Sequence, residues 1–118
     1  MCRYISAVIR DNEGNFLLRK EEGVWRFLGG EVIQGESPKE AYIRMTSEEF
    51  GVITNDIELM DVLSNGENRQ IHVFSGNLDK DKSLDMVADE GLGLFNKKQM
   101  ETIKLDNYTH FVLDKLKL

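Results

Sequence analysis

The sequence predicts an α+β domain in which a mixed β-sheet lies between helices. Three observations carry that expectation. Residues 3–28 fall into short extended runs separated by turn residues, the chain after Ser37 opens with a complete helix-start signal, and Tyr108, Phe111, Val112 and Leu116 recur at helical spacing near the C-terminus. Read through, the order is three strands, a helix, three more strands and two helices, and 118 residues are enough for one such domain and too few for a second.

Arg3 to Ile9 alternates weakly and reads as a strand, and Asp11-Asn12-Glu13-Gly14 turns it into a second strand, Asn15 to Lys20. Glu21-Glu22-Gly23 turns the chain again. Val24 to Leu28 is the third strand and delivers Gly29-Gly30, with Trp25 and Phe27 on one side and Arg26 and Leu28 on the other. Trp25 is read either as packed at the edge of a pocket or as a platform on which a base stacks. Arg26 is read either as a phosphate contact or as an exposed sheet charge.

Ser37, Pro38 and Glu40 form a capping box with proline at the first helical position, and Gly51 ends the helix. At about 100° per residue, Tyr42, Ile43, Thr46 and Phe50 share one arc, the expected core face, and Met45, Glu48 and Glu49 share another. Two carboxylates held that close repel unless a cation offsets them. Arg44 stands four residues before Glu48 and is expected to pair with it, leaving Glu49 as the freer oxygen donor. Hard divalent cations such as Mg2+ or Mn2+ take such oxygens, and glycines at 29, 30 and 35 let main-chain groups approach an ion. The plain alternative is an ordinary solvated helix face.

Ile57 to Leu63 and Arg69 to Leu78 are extended runs joined by a hairpin loop. In the second run His72 faces opposite to Ile71 and Val73. With no cysteine or second histidine nearby in sequence, His72 does not fit a zinc site and is read as a partly buried hydrogen-bonding group or a support for the site. Leu78 to Asp89 alternates in charge as a solvated loop does, Glu90 to Phe95 is a short strand, and Asn96 caps a following helix. The last helix has Asp106 or Asn107 as its cap, and its apolar stripe packs on the sheet or, in the alternative, in a dimer interface.

The net charge of −6 argues against unguided binding to nucleic acid, though a small phosphorylated ligand held by a cation remains compatible. A lone cysteine, Cys2, excludes an internal disulfide, and no apolar run approaches the roughly 20 residues of a membrane span. The expectation is a soluble cytoplasmic protein, a monomer or a homodimer.

The stretch from Gly30 to Val52 resembles the signature of the Nudix hydrolases: Gly, any five, Glu, any seven, then Arg-Glu-hydrophobic-any-Glu-Glu-any-Gly-hydrophobic. Gly30, Glu36, Arg44, Glu48, Glu49, Gly51 and Val52 stand at the matching positions. Met45 replaces the first helical glutamate, and Thr46 replaces a larger apolar residue. Trp25-Arg26-Phe27-Leu28 is similar to the strand that leads into the signature, with Leu28 where many members have proline.

The resemblance implies an α/β/α sandwich that hydrolyses nucleoside diphosphate derivatives, with Mg2+ or Mn2+ as cofactor and a small nucleotide as substrate. It further implies that Glu49, Glu48, Glu36 and the main chain at Gly30 serve the metal, with Arg44 and Glu90 in the catalytic set. Glu90, or Asp89 beside it, is the acidic residue implied ahead of the last strand, as a base or an additional ligand. Arg26, Trp25, Gly30 and His72 are the expected substrate contacts. The rival expectation is a degenerate domain that binds a nucleotide or a protein without turnover, and Met45 is the feature that favours it.

Overall fold

The computed structural model describes residues 2–64, 66, 68–81 and 91–118. Strand β1 (Cys2–Arg10) runs through the middle of the sheet, sending Ile5, Ala7 and Ile9 into one core and Val8 into the other. A strand buried on both faces has no strict polar alternation, which is why its pattern in the sequence is weak. Asp11 makes the turn as expected, its carboxylate accepting the backbone N–H groups of Glu13 at 2.9 Å and Asn15 at 2.8 Å. The chain then enters β2 (Phe16–Glu21).

The expected third strand is in fact two. β3 (Val24–Arg26) pairs with β2, whereas β4 (Leu28–Glu31) pairs with β1, and the chain crosses between them at Phe27. Gly29 permits the crossing, because a Cβ there would strike the Ile5 carbonyl oxygen and hold β4 away from β1. β1 and β2 are in register only at Arg10 and Phe16, so the sheet divides below that point.

Helix α1 (Pro38–Ile43) starts as the capping box dictates: Ser37 Oγ accepts the Glu40 N–H at 3.1 Å and Glu40 Oε1 accepts the Ser37 N–H at 2.9 Å. It continues as a π-helical turn, Arg44–Glu48, and Gly51 ends it with φ of 66°. The π turn has a local cause. The Thr46 and Ser47 hydroxyls donate to the carbonyls of Tyr42 and Ile43 at 2.9 and 2.7 Å, competing for acceptors that an α-helix gives to its own N–H groups. The buried arc is turned away from the predicted one, toward Ala41 and Met45. Ala41, Tyr42, Met45 and Thr46 are buried, while Ile43, expected in the core, is 43% exposed.

β5 (Thr54–Ser64) is longer than its predicted core and pairs antiparallel with β6 (Arg69–Leu78), which runs parallel to β1 from Cys2 beside Arg69 to Arg10 beside Asn77. β7 (Leu92–Phe95) pairs with β2; Asp89 and Glu90 lie outside the described residues. The strand order is β3-β2-β1-β6-β5, with β4 on β1 and β7 on β2. Asn96 caps α2 (Lys97–Met100), and Asp106 caps α3 (Asn107–Leu116) by accepting the Thr109 N–H at 2.8 Å. On α3 the deepest residues are Thr109 and Val112, and Tyr108 lies off the buried stripe.

One core, with Tyr42 and Met45, fills the α1 face of the sheet; the other, with Met100, Leu105 and Val112, fills the opposite face under α2 and α3. The mixed sheet between helices is therefore the architecture the sequence predicts. Among the described residues no helix is long and apolar enough to cross a membrane.

Candidate active site

The signature loop and helix are joined through Arg44. Its Nε donates to Glu36 Oε2 at 2.7 Å and its Nη2 to Glu36 Oε1 at 3.0 Å, while Nη2 also reaches the Glu31 carbonyl oxygen at 3.1 Å and Nη1 reaches Glu49 Oε1 at 3.1 Å. Glu36 Oε1 further accepts the Ile33 N–H at 3.0 Å. These donors, Arg44 first, hold the Glu36 carboxyl below its ordinary pKa, and Glu36 in turn holds the guanidinium above its own. A planar fork with several donors can fasten a loop to a helix in this way, which an ammonium cannot.

The partner of Arg44 on the helix is Glu49, not Glu48 as four-residue spacing predicts. A π turn brings residues five apart together, and the Glu49 N–H itself bonds to the Arg44 carbonyl. Glu48 is exposed and, among the described residues, makes no ion pair; Glu49 keeps 49% of its side chain exposed, whereas Glu36 keeps 15%. The two helix carboxylates thus face solvent, and Glu36 is committed to Arg44. Among the described residues no three His, Cys, Asp or Glu side chains gather as a metal site.

Met45 is buried at 2% exposure. Its Cε and Sδ lie 3.3 and 3.5 Å from where a Cβ on Gly30 would stand, so the thioether fills the space over that glycine.

Gly30 also borders a cleft of about 160 Å³. Its walls come from Tyr4 and Ser6 of β1, Arg26 and Phe27 where the sheet divides, and Tyr108 and Thr109 of α3. Thr109 Oγ1 accepts the Phe27 N–H at 3.2 Å, tying the helix to the strand crossing that shapes this wall. Of the expected substrate contacts, Arg26 and Gly30 line the cleft and Trp25 and His72 do not. Trp25 packs edge-on against Phe95 with centroids 4.6 Å apart. His72 sits between Ile5 and Val62 in the sheet; its Nε2 is buried with no hydrogen-bond partner among the described residues, and burial together with the nearby Arg3 charge lowers its pKa.

Arg19 escaped the sequence reading. It is the cross-strand partner of Arg26, and such partners share a face. Both arginines reach the same Glu21 oxygen, at 3.5 and 3.0 Å, so one carboxylate offsets two cations. Asp106 stands 3.9 Å from Arg26, and the Arg19 guanidinium lies 5.0 Å from the ring centre of Phe50, next in sequence to Glu49. An LLRK run in a strand gives no hint of this; the signal would have been the β2–β3 register.

Chemically, exposed carboxylates on a helix, paired guanidiniums on the sheet and a small, largely apolar cleft suit a ligand with a phosphate end and an organic end. The NUDIX domain family profile matches residues 2–107. Solved structures with this fold include a MutT protein from a study of Aliivibrio salmonicida and Vibrio cholerae, 16% identical with a TM-score of 0.77, covering 97% of this chain and 93% of that one. They also include a NUDIX-family hydrolase from Clostridium perfringens, 14% identical with a TM-score of 0.74 over 97% of this chain and 94% of that one. A NUDIX hydrolase from Nitrosomonas europaea is 21% identical, with a TM-score of 0.70 over 98% and 88%. At these identities the likeness speaks to fold. No curated protein matches the chain at a significant level. The profile match over most of the chain, and a fold shared along nearly all of it, give the conclusion that this protein belongs to the Nudix family, whose general chemistry is pyrophosphohydrolase-type.

Proposed function

We propose that the protein hydrolyses a phosphoanhydride bond in a nucleoside diphosphate or triphosphate derivative, with Mg2+ or Mn2+ as cofactor. The observation that carries this reading is the position of Gly30, which borders the cleft on one side and the signature helix on the other. A ligand lying along β4 would have its organic end in the cleft and its phosphates beside Glu48 and Glu49.

Glu49 and Glu48 would supply oxygens to a cation, with the main chain at Gly30 as a further donor, while Glu36 acts through Arg44 by fixing the loop against the helix. A divalent cation held there would offset phosphate charge and supply an activated water. Arg26 and Arg19 take the phosphate oxygens, and Glu21 holds the two guanidiniums in place until a phosphate replaces it. Asp106 and the apolar walls orient the nucleoside. Glu90 is the proposed base or additional ligand, and His72 supports β6 rather than touching the substrate. The exposed Cys2 agrees with a reducing, cytoplasmic setting.

A second reading, binding without turnover, draws on Met45 standing where the signature has a carboxylate. A panel of nucleoside diphosphate derivatives and triphosphates, assayed with Mg2+ and Mn2+ for released phosphate or nucleoside monophosphate, separates the two. Turnover that falls about 10²-fold or more in Glu49→Gln supports hydrolysis, since a cation contributes several kcal/mol of charge stabilisation. Ligand binding with no product supports the second reading.

A further inference from the structure

Glu21 shares one face of the β2–β3 ribbon with two arginines: Arg19 is two residues away on the same strand, and Arg26 is the cross-strand partner of Arg19. A single carboxylate oxygen, Oε2, meets Arg19 Nη1 at 3.5 Å and Arg26 Nη2 at 3.0 Å. Two guanidiniums, each a planar fork of N–H donors, thus converge on one acceptor. Each also has a support of its own. Arg26 Nη1 lies 3.9 Å from Asp106 Oδ2, while the other oxygen of Asp106 caps α3, and the Arg19 guanidinium stands over the Phe50 ring. These supports remain when Glu21 leaves. The Glu21 side chain is 44% exposed, and ion pairs this open to water are weak, so an anion of higher charge can displace it.

Resting on the phosphate reading above, we propose that Arg19 and Arg26 select a terminal phosphate and that Glu21 is a built-in competitor for the same place. The substrate class that follows is a diphosphate or triphosphate with a free end, in preference to a diphosphate capped at both ends. A terminal phosphate carries about two negative charges at neutral pH and three acceptor oxygens, enough to serve both guanidiniums at once. A phosphate inside a capped diphosphate carries a single charge and fewer free oxygens, so it replaces the carboxylate without gaining charge. Glu21 weakens every anion by the same factor. The arginine pair supplies the preference, and the competitor keeps weakly held anions from occupying the site.

The test is a titration of the full chain in chelator, without metal, followed through the side-chain Nε–H signals of Arg19 and Arg26 by nuclear magnetic resonance. The probes are methyl diphosphate, which has one free end, and the dimethyl diphosphate capped at both, so that no base or sugar enters the comparison. The native protein is expected to bind the first more tightly than the second, with both arginine signals moving. Arg19→Gln should bring the two probes toward equal affinity. Glu21→Gln keeps the size of the side chain and removes its charge. Losing two exposed ion pairs should tighten both probes by roughly 2- to 30-fold and leave their ratio unchanged. Equal affinity of the native protein for the two probes, or arginine signals that do not move, overturns the selection of a terminal phosphate. Weaker binding in Glu21→Gln overturns the competition, because Glu21 would then be organising the arginines for the ligand. The hydrolysis reading fails separately, through absence of Glu49-dependent turnover, since these titrations contain no metal.

Discussion

Replacing Thr109 with valine tests how the cleft wall is held. The Thr109 hydroxyl accepts the Phe27 N–H across 82 positions of sequence, at a place where both residues are buried. Valine keeps the shape and the backbone N–H that Asp106 caps, but it leaves the Phe27 N–H unpaired. An unsatisfied buried donor costs about 1–3 kcal/mol, and the added methyl returns about 0.8 kcal/mol. The net loss is about 1 kcal/mol, which for a domain of this length lowers the melting temperature by about 3–6 °C. Thr109→Ser serves as control because it keeps the acceptor. Thermal denaturation gives the stability, and amide hydrogen exchange reads the Phe27 N–H itself. Fast exchange at Phe27 in Thr109→Val and slow exchange in Thr109→Ser is the expected pattern. Equal protection in both would show that another group satisfies Phe27 and that α3 is not anchored through this bond.

Tyr42, fully buried, hydrogen-bonds to Thr54 Oγ1 at 2.7 Å, so Tyr42→Phe is expected to cost about 1 kcal/mol in denaturant unfolding. A Cβ on Gly76 would strike the Tyr42 hydroxyl, so Gly76→Ala should destabilise the native protein more than it does the Tyr42→Phe variant, as a double-mutant cycle would reveal. His72 predicts a pH dependence. Burial and Arg3 place its folded pKa below the unfolded value of about 6.5, so the unfolded state takes up the proton first and stability falls as pH drops through that value. Between pH 7.5 and 5.5 the native protein should lose more stability than His72→Gln; parallel curves would show that His72 does not titrate differently on folding.

Much of the fold was legible because its signals are local. Ser37, Pro38 and Glu40 specify a helix start within four positions, and Asp11 to Asn15 specify a turn within five. The errors arose where a tertiary partner or an unusual helix overrode spacing. Four-residue spacing paired Arg44 with Glu48; the π turn gave it Glu49 instead, and the adjacent hydroxyls of Thr46 and Ser47 were the available clue. Ile43 was expected in the core, but the helix turns its Ala41 and Met45 side inward, which only tertiary packing decides. The division of Val24 to Leu28 into two strands depends on how closely Gly29 meets Ile5, a contact that no local pattern encodes. The cleft was illegible for the same reason, since its walls come from β1, the β3–β4 crossing, β6 and α3. The acidic positions of the signature could be read in sequence, but the commitment of Glu36 to Arg44 and the burial of Met45 required the packed structure.

Attack of water on a phosphoanhydride at a site built on Glu49 is the step proposed for this protein. It is tested most directly by incubating the protein with nucleoside diphosphate derivatives and Mn2+ in 18O-labelled water and weighing the products by mass spectrometry. The account predicts two phosphate-bearing products, one of them carrying a single 18O atom, formed by the native protein with Mn2+ and lost both on chelation and in Glu49→Gln. Ligands that bind the native protein in the presence of Mn2+ yet return whole and unlabelled would contradict it.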